Sequence, residues 1–413
     1  MSLISNVLQI FRKPTQDESI ERTEEHTYNP QNQLFRNNDR INFIINQENV
    51  WILWKKSYIK INCTLEWDPL PANTTEEAFG QVTLTNNIGP FLFDSISYYL
   101  NNTEIDSVDQ VGLVSTVKTY LCFMKNEFEE YQSLGWTKNL NDQLYTFDPR
   151  TKKFSLKLKL SQMLNLPFTY ERIMCGTHKI SLVRSRTDDN CYVSTGVRKA
   201  RITITDMNLV ALHVYPAAKI QLQLLDSIKK NRAIPLAFQK WEIQSKDLPD
   251  AKTTSWKIQT IQRVERPNWI IVFFQTERDF NSRKNSTHFD HINLQNIRLK
   301  INSRYIPYDK WRLDFTKNYY EEAYDAYTEF YKTYYQKNRH QPFLNYNEYK
   351  NSPLFIIDCT TNVHENAFSS EMDATIEIES SENFPIHTKA YYIIIQDRVG
   401  SYNAISEAIT MFP

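Results

Sequence analysis

Hydrophobic and polar side chains alternate along most of the chain from residue 38 onward. Residues 40–45 place Ile41, Phe43 and Ile45 on one face, and residues 57–67 continue the pattern. A period of two is typical of antiparallel strands with one buried face and one face in water. Further runs of this kind lie at 153–160, near Ile180 and Ile202, and at 219–225, 238–244, 268–275, 297–301, 353–358, 374–379 and 390–396. The pattern predicts an all-β fold with about eight strands in each half, the number expected of a jelly roll.

Two similar passages, one in each half, indicate that a structural unit is duplicated. Residues 91–108 and 289–311 each combine a strand-like run, an Asn turn and a following Ile. The aligned pairs are Ile96 with Ile297, Leu100 with Ile301, Asn101 with Asn302, and Ile105 with Ile306. A unit that recurs after a long interval points to two copies of one fold. The sequence therefore predicts two consecutive eight-stranded antiparallel jelly rolls with short helical insertions.

Each repeated passage is followed by a stretch in which apolar or aromatic residues recur at helical spacing. In residues 109–125 the stripe is aliphatic, and in residues 318–336 it is aromatic. The aromatic stripe consists of Tyr320, Tyr324, Tyr327, Tyr331 and Tyr334. Such a stripe needs another surface to cover it. Two uses remain open for these tyrosines, contact between subunits or packing within their own domain.

The length of 413 residues favours two domains, because single hydrophobic cores rarely grow so large. A boundary is expected near Tyr215 and Pro216, where a proline follows a long strand-like run. We therefore expect a first jelly roll over residues 38–215 and a second over residues 216–413. Residues 1–37 are mainly polar and are predicted to form an N-terminal arm outside the core.

The start of this arm has the pattern of a short amphipathic helix over residues 2–11. Its apolar stripe consists of Leu3, Ile4, Val7, Leu8 and Phe11. So short a helix is unstable alone in water and needs a surface that buries its apolar face. We interpret it as an assembly arm, and the alternative is an arm that folds back on its own subunit. The acidic residues that follow favour contact with another protein over contact with anionic lipid or DNA.

The sequence contains none of the common catalytic or cofactor-binding motifs. It has no GxSxG, Walker or GxGxxG pattern, and only 7 glycines. His288, Asp290 and His291 come nearest to a metal site, but no third His or Cys follows at ligand spacing. His364 and Glu365 lack the second His of a zinc protease. We expect no catalytic residue, no metal and no cofactor.

The charge balance and the cysteines indicate which partners and which thiol chemistry to expect. Positive and negative side chains balance at 48 each, so no overall field draws the chain to nucleic acid or membranes. The basic runs at 229–232 and 281–285 are short and are interpreted as solvated loops. The 5 cysteines are scattered and form no CxxC pair, which favours free thiols. Cys63 and Cys122 fall in apolar patterns and are expected in the core.

Several ordered blocks of this sequence resemble one known family. In the second half the blocks are FQTERDF (274–280), FDHINLQNIRLKINSRYIPY (289–308), AYDAYTEFYKTYYQ (323–336), PLFIIDCT (353–360) and FPIHTKAYYIIIQDRVGSYN (384–403). In the first half the block is residues 91–121. These blocks resemble the double jelly-roll major capsid proteins of tailless double-stranded DNA viruses, in particular a group found in invertebrate viruses, Polinton-type elements and their endogenous copies.

The resemblance implies a structural protein of the virion capsid, assembled inside the host cell. Members of the family form homotrimers with a pseudo-hexagonal outline, which tile an icosahedral shell. The implied partners are neighbouring capsomers, a penton protein and minor capsid proteins. The resemblance leaves contact with a membrane open, and the residues give no strong signal for DNA binding. The alternative is a cellular protein of two β-sandwiches, either a glycan-binding module or a glycanase-like enzyme, which could descend from a viral copy.

Overall fold

The computed structural model describes residues 19–47, 50–75, 79–125, 131–136, 150–258, 267–301, 304–337, 341–360 and 374–412. Its strands divide into two groups along the chain. The first group comprises β1 (Ile20–Tyr28), β2 (Arg40–Ile45), β3 (Trp51–Ile52), β4 (Tyr58–Trp67), β5 (Val82–Leu84), β6 (Phe93–Leu100), β7 (Thr103–Asp109), β8 (Lys153–Lys159), β9 (His178–Arg184), β10 (Tyr192–Ser194) and β11 (Ala200–Pro216). The second comprises β12 (Ile234–Asp247), β13 (Thr253–Lys257), β14 (Trp269–Thr276), β15 (Leu294–Ile301), β16 (Arg304–Ile306), β17 (Phe355–Asp358), β18 (Ala374–Ser380), β19 (Thr388–Tyr402) and β20 (Ile409–Met411).

Short helices lie between the strands. In the first half they are α1 (Ile88–Phe91), α2 (Val111–Cys122), α3 (Leu160–Met163) and α4 (Leu166–Thr169), with 3-10 turns at Trp54–Lys56 and Gln132–Leu134. Helix α5 (Ala218–Lys229) joins the halves, and α6 (Glu321–Tyr335) and α7 (Tyr346–Asn351) belong to the second half.

Both halves have the same strand order. The main sheets of the first half run β1-β11-β4-β8 and β2-β9-β6-β7, and those of the second run β12-β19-β14-β17 and β13-β18-β15-β16. If the eight main strands of each half are numbered in chain order, the sheets read 1-8-3-6 and 2-7-4-5 in both cases. All neighbouring strands in these sheets are antiparallel. This is the order of a jelly roll, so the predicted all-β fold of two jelly rolls is confirmed.

The repeated passages are equivalent hairpins in the two jelly rolls. Ile96 lies on β6 and Ile297 on β15, the fourth main strand of each roll, and both are fully buried. Asn101 forms the turn of the first hairpin with a positive φ of 45°, which Asn tolerates better than most residues. Its aligned partner Asn302 lies outside the described residues.

The alternating pattern correctly located most strands because one face of each contacts the core. On β4, Ile59, Ile61 and Leu65 are fully buried, while Lys60 is exposed. Strand β14 departs from the alternation, since residues 269–275 are all buried. Its Trp269 lies 5.5 Å from Phe330 of α6, and its Phe273 lies 4.5 Å from Phe289, measured between ring centroids.

Residues 219–225 were predicted as a strand, and this is wrong. They belong to helix α5, in which Ile220, Leu224 and Ile228 recur four residues apart. The alternation of Ile220, Leu222 and Leu224 suggested a strand, but Leu, Gln and Lys also favour helices. Leu222 fits only the period of two, and its side chain accordingly points away from the apolar face of the helix.

The predicted arm also needs correction, because residues 20–28 form the first strand of the first jelly roll. Strand β1 pairs with β11 from Ile20, opposite Pro216, to Tyr28, opposite Leu209. The first jelly roll therefore begins before residue 38 and has its eight main strands only with β1. The apolar residues proposed for the assembly arm, Leu3, Ile4, Val7, Leu8 and Phe11, lie outside the described residues.

This pairing predicts different outcomes for two N-terminal truncations. Deleting residues 1–18 should leave the jelly roll folded, whereas deleting residues 1–28 should lower its melting temperature by several degrees. The second deletion uncovers His213, which is now buried, stacks on His26 at 4.0 Å between ring centroids and bonds Tyr28 Oη at 3.0 Å. Thermal melting by circular dichroism measures the difference. Equal melting temperatures for the two truncated proteins would contradict the structural role of β1.

Candidate functional site: the contact between the two jelly rolls

Helix α2 is the central element of the contact between the jelly rolls. All 12 of its residues are buried, including Lys118 and Tyr120. It follows β7 in the first jelly roll, and α6 follows β16 at the equivalent place in the second. The helices predicted from the two stripes therefore contact each other instead of capping separate domains.

Two tyrosines connect the two jelly rolls by hydrogen bonds to backbone atoms. Tyr327 Oη on α6 donates to the carbonyl oxygen of Tyr120 on α2 (2.7 Å) and accepts from the amide of Leu344 (3.0 Å). Tyr120 Oη donates to the carbonyl oxygen of Thr287 in the second jelly roll (2.8 Å). Burial raises the pKa of the Tyr120 hydroxyl above its usual value, so the group remains a donor.

Aromatic rings fill the space around these bonds. The ring of Tyr120 lies 5.9 Å from Phe289 and 5.4 Å from Phe343, measured between centroids. Trp136 of the first jelly roll contacts the same Phe343 edge to face at 5.4 Å. Aromatic pairs at these separations stabilise by about 0.5–1.5 kcal/mol beyond the area they bury. The rings form a contact of defined geometry across the two domains.

Lys118 forms a second part of the contact. Its Nζ donates to the carbonyl oxygen of Leu164 (3.2 Å) and to Asn165 Oδ1 (2.9 Å). The ammonium also lies 5.1 Å from the ring centroid of Phe168 and 5.6 Å from that of Trp241, which belongs to the second jelly roll. Burial lowers the pKa of Lys118 to about 8, while Asp106 opposes this shift. The neighbouring dipoles and rings replace part of the lost hydration of the charge.

Asp106 holds the loop that carries these acceptors. Its carboxylate accepts hydrogen bonds from the backbone amides of Asn165 (2.6 Å) and Leu166 (2.7 Å), and from Asn165 Nδ2 (2.9 Å). A buried carboxylate is costly unless its oxygens are hydrogen-bonded, and here both are. The network fixes the start of α4 and thereby the position of Phe168.

The contact extends beyond the helices to loops of both jelly rolls. The Ser194 amide donates to the carbonyl oxygen of Ser282 (2.7 Å), and the Phe280 amide donates to Asn190 Oδ1 (3.0 Å). At another point Asn101 Nδ2 donates to Tyr402 Oη (3.1 Å). Backbone and side-chain bonds at several separate places restrain rotation of one jelly roll against the other.

The tyrosines of the predicted aromatic stripe all contact other residues of the same chain. Tyr320, Tyr327 and Tyr331 are buried. Half-buried Tyr324 donates to the carbonyl oxygen of Leu344 (3.4 Å), and the ring of half-buried Tyr334 lies 5.4 Å from Trp269. Packing within the chain thus buries Tyr320, Tyr327 and Tyr331, and a subunit contact by the half-buried Tyr324 and Tyr334 stays a prediction. Glu321, Glu322, Asp325 and Glu329 occupy the exposed face of the same helix.

The histidine motif considered as a metal site does not gather ligands. Asp290 accepts from Arg278 at 2.6 and 3.1 Å and from the Thr276 amide at 2.7 Å. His291 Nδ1 accepts from the Asn293 amide (3.0 Å), and its ring stacks on Phe315. Among the described residues, no three His, Cys, Asp or Glu side chains converge. His364 and Glu365 lie outside this part of the chain.

The cysteines are free thiols, as predicted, and Cys63 and Cys122 lie in the core. Burial raises the pKa of Cys63 to about 12, which suppresses its reactivity. No helix within the described ranges has both the length and the apolar character needed to cross a membrane.

Sequence comparison with family models identifies one family. A model described as a double jelly roll-like domain matches residues 82–400, more than three quarters of the chain. Comparison with curated protein sequences finds no match.

Solved structures show the same fold over almost the whole chain. A chain in the cryo-EM structure of the Sputnik virophage is 10% identical with a TM-score of 0.68, covering 100% of this chain and 92% of that one. The Faustovirus major capsid protein is 10% identical with a TM-score of 0.58, covering 97% and 94% of the two chains. The mavirus major capsid protein is 11% identical with a TM-score of 0.57, covering 97% and 91%.

Proposed function

This chain belongs to the double jelly roll-like domain family, and we propose that it is a major capsid protein that builds an icosahedral viral shell. The observation that carries the proposal is the structural match over 97% of the chain, and so over both jelly rolls, to proteins named as major capsid proteins. The proposed role is structural, not catalytic. It depends on the shape of the molecule and on the surfaces that it buries against copies of itself.

The contact between the jelly rolls supports this role. A shell subunit must keep its two halves at a fixed relative orientation, because neighbouring copies bind both. Tyr120, Tyr327 and Lys118 connect the halves through buried hydrogen bonds and ring contacts. Buried polar networks of this kind favour one arrangement over others, since any displacement leaves polar atoms without partners.

The proposed capsomer is a homotrimer. Two similar lobes in each of three copies give six lobes around an axis, which is a suitable unit for hexagonal tiling. Its partners would be neighbouring capsomers together with a penton protein and minor capsid proteins. Residues 1–18 remain predicted either as an assembly arm or as an arm that folds back on its own subunit, and the arm is shortened to these residues because β1 is part of the first jelly roll.

Measuring the mass of the purified protein tests the trimer. We expect a particle three times the 49.0 kDa mass of the chain, by light scattering coupled to size exclusion, and little monomer at micromolar concentration. Obligate interfaces of this class bury several thousand Å², which supports such affinity. A stable monomer at all accessible concentrations would contradict the proposal and favour the two-sandwich cellular protein. Glycan-array binding by that monomer would strengthen the alternative.

A further inference from the structure

Helix α5 connects the jelly rolls but is poorly covered by either of them. It contains five aliphatic residues, yet none of its 12 residues is buried. On its apolar face Ile220, Leu224, Leu225 and Ile228 are only half-buried, and Leu222, outside that face, is 68% exposed. Helix α2 has the same length and is buried throughout. An amphipathic helix with so little covered apolar surface is expected to have a partner.

Exposed apolar side chains continue beyond both ends of α5. Ile20, which is 51% exposed, pairs with Pro216 just before the helix begins. Ile405 is 56% exposed and lies in a turn whose Asn403 donates to Asn231, just after the helix ends. The apolar surface is therefore longer than the helix itself.

The described chain begins at the same place. The carbonyl oxygen of Ser19 accepts a hydrogen bond from the amide of Ala217, the residue that precedes α5 (2.9 Å). Residues 1–18 are therefore attached to the molecule at the first turn of α5. They include the predicted amphipathic segment of residues 2–11, whose apolar stripe has no assigned surface.

We propose that residues 2–11 pack along the apolar face of α5 in the same chain. The dimensions permit it, because α5 is about 18 Å long and a helix of residues 2–11 would be about 15 Å long. Residues 12–18 can span up to about 24 Å, so the segment can lie alongside α5 in either direction. Attachment next to the site raises the effective concentration of the segment, which favours the same chain over another copy.

Charge is compatible with this placement. Asp17 and Glu18 directly precede Ser19 in the sequence, and Ser19 bonds Ala217 at the start of α5, where a helix end favours negative charge. Lys219 in that turn adds an opposite charge. The segment of residues 2–11 itself carries no charged side chain, which suits an apolar surface.

Disulfide trapping tests the proposal. The test protein is the full chain with Val7→Cys and Leu224→Cys, the latter on the half-buried face of α5. It also carries Cys175→Ser, which removes the one native cysteine that is not buried. The control combines Val7→Cys with Gln223→Cys, an exposed neighbour directed away from that face. Mild oxidation should give an intramolecular disulfide in the first protein at least about tenfold faster than in the control, because effective concentrations at a docked site are high. Non-reducing electrophoresis and mass spectrometry measure the product.

Three outcomes would overturn the proposal. Equal rates in the two proteins would mean that the segment does not dock on this face. A covalent dimer as the main product would place the segment on a neighbouring copy. The full chain could instead sediment with vesicles of neutral and anionic phospholipid and lose this binding when residues 1–18 are deleted. That result would mean that the segment binds a membrane.

Hydrogen exchange provides a measurement without cysteine variants. Deleting residues 1–18 should speed amide exchange in residues 218–229 by about tenfold or more, because α5 would lose a packing partner. Exchange in α2, which is buried, should not change. Unchanged exchange in α5 would count against the proposal even if the truncated protein folds normally.

Discussion

Replacing Asp188 with alanine is expected to lower the free energy of unfolding by about 3–5 kcal/mol, because it leaves a buried guanidinium without its carboxylate. Arg184 is fully buried and forms an ion pair with Asp188. Its Nη1 also donates to the carbonyl oxygen of Leu92 (2.7 Å), and Asp188 Oδ2 accepts from the amide of Ile202 (2.8 Å). The pair thus connects β9 in one sheet of the first jelly roll with β11 in the other.

The chain contains a matched control for this substitution. Asp226 and Lys230 are also four residues apart and form an ion pair, but both are about 60% exposed. Asp226→Ala should change stability by less than about 0.5 kcal/mol, as is usual for exposed pairs. Urea denaturation followed by tryptophan fluorescence compares the two variants with the wild type. Similar losses of stability in both variants would mean that burial does not determine how much the Arg184–Asp188 pair contributes to the free energy of unfolding.

Tyr327→Ala is expected to destabilise the protein by about 3–5 kcal/mol, since it removes a large buried side chain from the contact between the jelly rolls. The substitution also leaves the Leu344 amide and the Tyr120 carbonyl without the partner that they now share. Tyr327→Phe keeps the ring and removes only the hydroxyl. It should cost about 1–3 kcal/mol, the usual range for buried polar groups left without a partner.

Tyr308→Ala is the control, because that ring is 86% exposed and should contribute little. Denaturation should show the largest loss in the free energy of unfolding for Tyr327→Ala, a smaller loss for Tyr327→Phe and the smallest for Tyr308→Ala. Limited proteolysis adds a specific readout, since a weakened contact should speed cleavage in α5 between the two jelly rolls. Unchanged stability and proteolysis for Tyr327→Ala would mean that the rings do not hold the jelly rolls together.

Local periodicity was enough to predict the fold class and most strands. On β4 and β8 every second residue is buried, so the pattern and the structure agree. Strand β1 was missed because it is an exposed edge strand whose outward residues are charged, as is common at sheet edges. Helix α5 was assigned wrongly because its five aliphatic residues fit both periods in part.

The contact between the jelly rolls could be predicted only in part. The tyrosine stripe indicated that α6 packs against something, but not against what. Tyr327 and Tyr120 are 207 positions apart, and no local pattern links residues so distant. Lys118 gave no signal either, because a single lysine within an apolar helix is usually assumed to reach solvent. The network around Asp106 and Asn165 that allows its burial depends on tertiary structure.

Electron microscopy of the purified protein tests the proposed capsid role most directly. Averaged images should show particles of three copies with six lobes in a near-hexagonal outline, since each copy contributes two jelly rolls in a fixed arrangement. Under conditions that favour assembly, such particles should also tile into closed shells. Images of separate two-lobed particles, with neither trimers nor shells under any condition, would contradict the proposal.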